Sequence, residues 1–329
     1  MNILRKDLRT SPTAASWAEV GEEEAGQRID NYLVRVLKGV PKSHVYQLLR
    51  TGQVRVNSKR IEAAYRLQQG DRVRLPPVRT ATTRPATQAA GPAEQRLSRH
   101  VLLEDDALLI IDKPAGVAAH GGSGISRGII EQMRAERPEL RFLELVHRLD
   151  RETSGVLLLA KKRSALTGLH AQIRAGAMKK SYLVLVRGRW KNDKQHVRLP
   201  LNKYLTVEGE RRVNVTEDGV PAHTVFRRRH SYPEYTLLEA ELLTGRTHQI
   251  RVHLAHLGFP IAGDDKYGDF PLNKTLQREG LKRMFLHARR VEFQHPVTGA
   301  PTVVEAPLPA SLTHFLESLS EIGAAAPVP

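Results

Sequence analysis

The sequence has 329 residues, a net charge of +16 at pH 7 and no cysteine. The length allows one large and one small domain, and the excess of Lys and Arg predicts a polyanionic partner such as nucleic acid. A chain without cysteine has no disulfide framework, thiolate nucleophile or cysteine-bound zinc, which fits a reducing compartment.

Residues 1–24 have no apolar periodicity, and we expect them to be a disordered leader. Charges stand where a signal peptide needs its apolar core. No run elsewhere approaches the length of a membrane span. We therefore expect a cytoplasmic protein with no membrane partner.

Residues 25–77 have the pattern of a small domain with two helices and a hairpin. Apolar residues recur at helical spacing from Ile29 onward, and Ser43 is a candidate cap of a second helix. An alternating segment then turns at Asn57-Ser58, as a β-hairpin does. Basic side chains gather on the second helix and the hairpin: Lys42, His44, Arg50, Arg55, Lys59 and Arg60. They predict either a surface that contacts phosphates or an ordinary solvated face.

Residues 78–96 are rich in Pro, Thr and Ala without apolar periodicity, so we expect a flexible linker. A large domain is predicted over residues 97–322. Its last helix is indicated by apolar residues at helical spacing, among them Leu312 and Phe315. Residues 323–329 are expected to be a disordered tail.

The large domain begins with a buried strand that leads into a glycine-rich loop, KPAGVAAHGG (Lys113–Gly122). Such a loop can bind phosphate through its backbone amides. The order of residues in a P-loop is absent, and so is the glycine fingerprint of a dinucleotide-binding fold. We therefore expect no nucleotide cofactor.

The most informative stretch is LVHRLDRETSGVLLLAKK, which starts at Leu145. Its apolar run, Val156–Ala160, is short and follows a turn, which favours a buried strand although periodicity does not exclude a helix. Asp150 would then lie on a loop at the mouth of a rigid sheet, where catalytic groups often lie. The alternative is a structural carboxylate paired with Arg148.

Two further side chains are candidates for the same site. After a helix that Ser164 can cap, Tyr182 lies near the start of a predicted strand, where a single tyrosine usually belongs to the core. Another helix is predicted over Thr247–Leu257. Its apolar face includes Leu254, and Arg251 lies beside that face, so Arg251 can reach inward from a packed helix.

A metal hydrolase is one alternative. Its candidate ligands would be His248, His253 and His256 with Asp264 or Asp265. Zinc-binding helices place two histidines at positions i and i+4, whereas these are separated by five and three positions. Arginines at 246 and 251 would also bring cations beside a cation site. We therefore predict no metal.

Three blocks of this sequence, in the same order, resemble the RluA-type pseudouridine synthases. HRLDRETSG meets every specified position of the family signature H-R-L-D-x-x-T-S-G. It lies between the block that starts at Lys113 and a third block, TGRTHQIRVHLAHLGFPIAGDDKYG (Thr244–Gly268). Asp112 stands where family members commonly have Asn. The resemblance runs from about residue 25 to residue 307, and the small domain is similar to the S4 RNA-binding module.

The resemblance implies an α+β fold: a mixed, largely antiparallel sheet with flanking helices, preceded by a small S4-like α/β RNA-binding domain. It also implies an isomerase that breaks the C1′–N1 bond of a uridine, turns the base and forms a C1′–C5 bond. This reaction has no net redox change and no group donor, so no cofactor is expected.

The resemblance also implies roles for residues of this chain. Asp150 would be the catalytic carboxylate, Arg251 would pair with it, and Tyr182 would stack on the target base. Arg148 would enter the RNA where the flipped base has left the stack, with His147 as a structural or RNA-contacting neighbour. The active-site loop would comprise Thr153, Ser154, Gly155 and Lys113.

Among family members, the sequence most resembles synthases that modify 23S ribosomal RNA. We therefore expect 23S rRNA, or its large-subunit precursor, as the partner, with transfer RNA as the second choice. A non-catalytic RNA-binding or ribosome-assembly protein on the same fold remains an alternative. We expect a monomer. The residues leave open whether Asp150 attacks C1′ or assists departure of the uracil.

Overall fold

The computed structural model describes residues 15–21, 24–37, 39–78, 96–121, 128–207 and 209–324. The chain divides into two compact units, Met1–Ala89 and Ala90–Pro329. This division falls within the predicted linker, of which residues 79–95 lie outside the described residues. None of the helices in the described ranges is both long and apolar enough to cross a membrane.

The N-terminal unit consists of two helices and a three-stranded antiparallel sheet of order β1-β3-β2. Its elements are β1 (Ser16–Glu19), α1 (Ile29–Val36), α2 (Lys42–Arg50), β2 (Arg55–Val56) and β3 (Arg72–Leu75). The helices pack through the apolar faces that their spacing predicts, including Leu33 on α1 and Leu48 on α2. The two predicted helices are confirmed.

Two local predictions for this unit were wrong. The expected leader contains β1, which pairs with β3 and leads into the buried Val20, because tertiary pairing outweighs a weak local pattern. Ser43 does not cap α2, since the N-cap is Pro41 and has no side-chain bond. The predicted hairpin turn at Asn57-Ser58 is present: both residues have positive φ, and Val56 and Lys59 pair across the turn, while β2 pairs mainly with β3.

The C-terminal unit is built on a mixed sheet of ten strands within the described residues, in the order β4-β5-β7-β14-β8-β13-β12-β9, with β15 on β14 and β6 on β7. Its strands are β4 (Val101–Glu104), β5 (Leu108–Lys113), β6 (Glu144–Leu145), β7 (Ser154–Ala160), β8 (Lys179–Arg187), β9 (Lys194–Arg198), β12 (His223–Ser231), β13 (Tyr235–Leu242), β14 (Leu286–Gln294) and β15 (Pro301–Glu305). A separate antiparallel ladder joins β10 (Leu201–Leu205) to β11 (Arg211–Val215).

Helices flank this sheet. They are α3 (Ile129–Glu136), α4 (Arg163–Arg174), α5 (Gln249–His256), α6 (Phe270–Arg278) and α7 (Ala310–Ala324), with a 3₁₀ helix at Leu97–His100. The prediction that Ser164 caps α4 is wrong, because the N-cap residue of α4 is Lys162, whose side chain makes no capping hydrogen bond. α7 enters the tail that was expected to be disordered, and residues 325–329 lie outside the described part.

The apolar run after Asp150 is the buried strand β7, and every one of its residues is buried. Leu157 and Leu159 pack into the core on one face of the sheet, while Val156 and Leu158 pack into the core on the other. A strand buried on both faces needs a continuous apolar run rather than alternation. β7 is also parallel to β14, and the other pairings described in this sheet are antiparallel.

Gly155 lies where β7 meets β14. Its φ is +109°, and a Cβ at this position would stand 2.2 Å from the carbonyl oxygen of Ala288. Only a glycine fits both the backbone conformation and the close approach of the two strands. The turn that follows Asp150 is therefore seated directly against the central sheet.

We expect Gly155→Ala to lower the free energy of unfolding of the C-terminal unit by at least about 3 kcal/mol, because a strained φ and a backbone clash add. Gly176→Ala is the control: its φ is +69° and nothing lies within 4 Å of its Cβ, so only about 1 kcal/mol should be lost. Urea unfolding, followed by the fluorescence of buried Trp190 in a Trp17→Phe background, measures both. Equal losses would contradict the clash.

Candidate active site

A cleft of about 1020 Å³ opens in the C-terminal unit. It is lined by the loop of residues 145–150, by the first residues of β8 and by residues 242–251, which lead into α5. The three side chains predicted to act together, Asp150, Tyr182 and Arg251, all line it. Elements far apart in the sequence therefore meet here, as the resemblance implied.

Asp150 is the carboxylate of this cleft. Its side chain is 25% exposed, and its Oδ2 lies 3.3 Å from Nη1 of Arg251, which is buried on α5. The backbone turn after Asp150 is closed by the N–H of Thr153, which donates to the Asp150 carbonyl oxygen at 3.1 Å. The carboxylate is thus accessible from the cleft but held by a guanidinium, and no ion pair with Arg148 forms.

Arg251 is fixed from behind by Asp264. Its Nε donates to Asp264 Oδ2 at 2.8 Å, and its Nη2 donates to Asp264 Oδ1 at 2.6 Å. This fork leaves Nη1 directed at Asp150. Two backbone N–H groups also donate to Asp264 Oδ1, and these bonds and the guanidinium hold the pKa of Asp264 below its ordinary value despite burial. The reciprocal ion pairs raise the pKa of Arg251, which stays cationic.

His248 forms a second contact with the carboxylate. The N–H of Val213 donates to the Tyr267 hydroxyl oxygen at 3.0 Å, and the same oxygen lies 2.8 Å from His248 Nδ1. The other ring nitrogen of His248, Nε2, faces Asp150 Oδ2 at 3.8 Å. Burial lowers the pKa of His248 and favours the neutral imidazole. Its φ of +54° is left-handed, a strained conformation that is typical of functional sites.

Tyr182 forms part of the floor of the cleft. It is 7% exposed and packs within the main apolar core. Burial, with a smaller contribution from the nearby charge of Asp150, raises the pKa of Tyr182, so its phenol stays neutral. The core packing expected of a single tyrosine and a place in the cleft are therefore both present.

His147 and Arg148 have different environments in the same loop. His147 Nε2 accepts the N–H of Leu158 at 3.3 Å, which ties the loop to β7. Burial lowers the pKa of His147 to about 3, so it is neutral and is not an acid at physiological pH. Arg148 is exposed along the cleft, and within the described residues its side chain forms no ion pair.

Lys113 lies inside the unit, beneath the loop that carries Asp150. Its Nζ donates to the carbonyl oxygens of Pro114 and Val117, each at 2.8 Å, and of Arg151 at 3.1 Å. Burial lowers the pKa of Lys113 to about 7. Lys113 therefore fastens the glycine-rich loop to the Asp150 loop and does not line the cleft.

One backbone amide of the glycine-rich loop is already bonded to a carboxylate of the protein. Of its described residues, Gly121 donates its N–H to Glu131 Oε2 at 3.0 Å, and Gly128 beyond the loop donates to the same oxygen at 2.9 Å. A carboxylate at this position occupies the amide and repels phosphate. Residues 122–127 lie outside the described part.

A buried chain of hydrogen bonds supports the turn after Asp150. Arg283 Nη2 donates to Ser154 Oγ at 2.7 Å, and Ser154 Oγ lies 2.9 Å from His287 Nδ1. His287 Nε2 lies 3.2 Å from the carbonyl oxygen of Ala306, which can only accept. Nε2 therefore carries the proton, and the Ser154 hydroxyl donates to Nδ1. Burial lowers the pKa of His287 to about 4 and keeps this neutral form.

The candidate ligands of the metal hydrolase do not converge. His248 bonds to Tyr267, and Asp264 is engaged by Arg251. His253 bonds through Nδ1 to Thr224 Oγ1 and through Nε2 to the Leu199 carbonyl oxygen, both at 3.0 Å. Across the ranges that the structure covers, no group of three or more His, Asp or Glu residues could hold a metal ion.

Comparison with known proteins decides the family. The family described as RNA pseudouridylate synthase matches residues 107–256, and the S4 domain matches residues 27–73. The ribosomal large subunit pseudouridine synthase C of Yersinia pestis is 50% identical over 314 residues, which cover 95% of this chain and 98% of that protein.

The chain belongs to the RNA pseudouridylate synthase family. The protein of the same name from Escherichia coli (strain K12) is 50% identical over 317 residues, covering 95% of this chain and 99% of the relative. Among solved structures, human RNA pseudouridylate synthase domain containing 4 is 26% identical with a TM-score of 0.56, covering 68% of this chain and 94% of that one. The predicted family, fold class and S4 module are confirmed, and the protein is a pseudouridine synthase.

Some residues around the synthase cleft had no assigned place in the sequence analysis. Asp264 was considered only as a metal ligand, although a carboxylate in the turn soon after α5 is a natural partner for Arg251. The Arg283–Ser154–His287 chain gave no signal, because its bonds join residues 129 and 133 positions apart.

All six basic residues predicted for the S4 surface are exposed, and none forms an ion pair within the described part of the chain. Their roles stay predictions, as do those assigned in the cleft.

We expect the synthase to lose stability as the pH falls from 6.5 to about 4, with up to about 3 kcal/mol due to His287. The folded state keeps this imidazole neutral while the unfolded chain binds a proton in that window. His287→Gln cannot titrate and should be less stable at neutral pH. The difference in unfolding free energy between wild type and variant should therefore shrink toward about pH 4.5. A difference independent of pH would contradict this assignment, since His147 contributes equally to both proteins.

Proposed function

We propose that this synthase converts uridines of 23S ribosomal RNA, or of its large-subunit precursor, to pseudouridine, with Asp150 as the catalytic carboxylate. The observation that carries the proposal is the cleft in which an accessible Asp150 faces the buried Arg251 at 3.3 Å, beside Tyr182. The relatives are named for the ribosomal large subunit, and the charge of +16 favours a polyanionic substrate.

Asp150 acts at C1′ of the uridine, either as a nucleophile or by assisting departure of the uracil, and carboxylates serve both kinds of role at anomeric carbons. Arg251 orients the carboxylate and compensates its charge. The freed uracil turns and bonds to C1′ through C5, the hydrogen on C5 is released as a proton, and N1 takes up a proton in place of its broken bond to C1′. The product is an isomer, so the proposal includes no nucleotide cofactor.

The target uridine must leave its stack to reach Asp150, which costs a few kcal/mol. Arg148 is exposed along the cleft, and its flat guanidinium can stack in place of the departed base. His147 holds this loop to β7 through the Leu158 N–H. Tyr182 stacks on the flipped uracil as a neutral phenol, which suits packing better than proton abstraction.

The S4 domain supplies affinity rather than catalysis. Its exposed basic residues suit contacts with phosphates, which strengthen binding without reading sequence. We propose that the protein works in the cytoplasm as a monomer, with the expected boundaries 25–77, 78–96 and 97–322 for the S4 domain, linker and synthase domain, except that β1 adds Ser16–Glu19 to the first.

The deciding experiment is tritium release from C5-labelled uridine in a 23S rRNA transcript, with wild type beside Asp150→Asn. Wild type should release tritium, and the variant should release none above background while still binding the transcript. Release by both would remove Asp150 from its role. Release by neither from bound RNA would direct the test to transfer RNA and to assembly intermediates, and failure there would favour a binding protein.

We expect Arg251→Lys to reduce kcat/KM for tritium release by about 100-fold, because a point charge cannot hold Asp264 in a fork and also orient Asp150. Arg187→Lys is the matched control: Arg187 pairs with Asp269 at the surface and is half exposed, so its replacement should have little effect. Turnover by Arg251→Lys equal to that of the control variant would refute the orienting role of the guanidinium.

A further inference from the structure

Lys180 lies in the cleft without an assigned role. It stands two residues before Tyr182 on β8, so both side chains leave the same face of the strand. Its Nζ would lie 3.6 Å from a Cβ built on Gly245, which places the ammonium against the turn that precedes α5. Lys180 is half-buried, and it is close enough to His147 to help lower the pKa of that imidazole.

The ammonium of Lys180 has no hydrogen bond and no ion pair with any described residue. Two other lysines of the C-terminal unit that are also wholly or partly buried do have partners: Lys113 bonds to carbonyl oxygens, and Lys161 pairs with Glu104 at 3.0 Å. Partial burial without a partner disfavours the charged form and lowers the pKa of Lys180. Such an arrangement is unfavourable for the free protein, and an anion would relieve it.

The residues around Lys180 make the cleft a site for anions. The cleft is lined by Arg148, Arg174, Lys180, Arg246 and Arg251. Asp150 is the one carboxylate among the described lining residues, and Arg251 already faces it. The other four cations have no carboxylate partner in the part of the chain that the structure describes. An anionic ligand beside Lys180 would therefore meet little repulsion.

We propose that Lys180 binds a backbone phosphodiester of the substrate RNA beside the target uridine. The proposal rests on the proposed function, which brings RNA into this cleft. Two positions along a strand span about 7 Å, a distance that one nucleotide can bridge between a base at Tyr182 and a phosphate at Lys180. A lysine serves here as a point charge that needs no fixed orientation of the phosphate oxygens.

Lys180→Met tests the proposal, because it keeps the length and packing of the side chain and removes the charge. Lys179→Met is the matched control, since Lys179 is 63% exposed and faces away from the cleft toward Glu292, with Nζ 3.9 Å from Oε2. Binding of the 23S rRNA transcript is measured over a series of salt concentrations, and tritium release is measured on the same RNA.

We expect Lys180→Met to weaken binding about tenfold and to reduce the slope of log K against log salt by about 0.7 to 0.9, the value for one phosphate contact. KM should rise while kcat at saturating RNA stays near that of wild type, and Lys179→Met should match wild type. A slope equal to that of wild type would overturn the proposal. So would a lower kcat at unchanged affinity, or an equal loss of slope in the control.

Failure of the proposed function would be seen separately, as a wild-type protein that binds the transcript without releasing tritium. The affinity and the salt slope of Lys180→Met can still be compared with those of Lys179→Met in that case. A reduced slope confined to Lys180→Met would then support the phosphate contact even though the reaction had been assigned wrongly.

Discussion

The site depends on the position of one guanidinium. Arg251 is buried, and the fork to Asp264 fixes its plane so that only Nη1 remains for Asp150. Burying an arginine without a partner would cost desolvation free energy, but Arg251 is paired with Asp264. Asp264 is itself buried and accepts two further backbone N–H bonds. The positive charge beside Asp150, the carboxylate that we propose as catalytic, is therefore already compensated within the protein. The same fork keeps the Arg251 guanidinium in the orientation that faces Asp150.

The Asp150 loop is held on its inner side by groups that do not line the cleft. Lys113 Nζ donates to the backbone carbonyl oxygen of Arg151 in this loop, and Arg283 Nη2 donates to the Ser154 hydroxyl in the turn. Gly155 brings the end of the loop against β14, where a larger residue would collide. Catalytic geometry needs positions set to within about an ångström, and several independent supports provide this better than one strong bond.

Local patterns in the sequence predicted individual elements, whereas their arrangement as a mixed sheet was implied by the resemblance to the family. The strand β7 was predicted from the shortness of its apolar run and the turn before it, and the helix that carries Arg251 was predicted from its periodicity. The strand β1 was missed, because its pairing with β3 in space decides such a short strand. The caps of α2 and α4 were predicted wrongly, because a helix can begin without a side-chain cap. The contacts of Lys113 with Arg151 and of Arg283 with Ser154 depend on how loops far apart in the sequence meet, and spacing along one sequence does not contain that information.

The charges of the synthase domain fall into two groups with different physical consequences. Those behind Asp150 are paired or bonded inside the protein, where salt screens them weakly. Arg148 and Lys180 along the cleft lack such partners among the described residues, and salt in solution competes directly for them. Raising the ionic strength should therefore loosen the RNA long before it disturbs the arrangement around Asp150. In the function that we propose, such a cleft separates affinity, which contacts with the RNA backbone would supply, from the chemistry at one uridine, which we assign to Asp150 and Arg251.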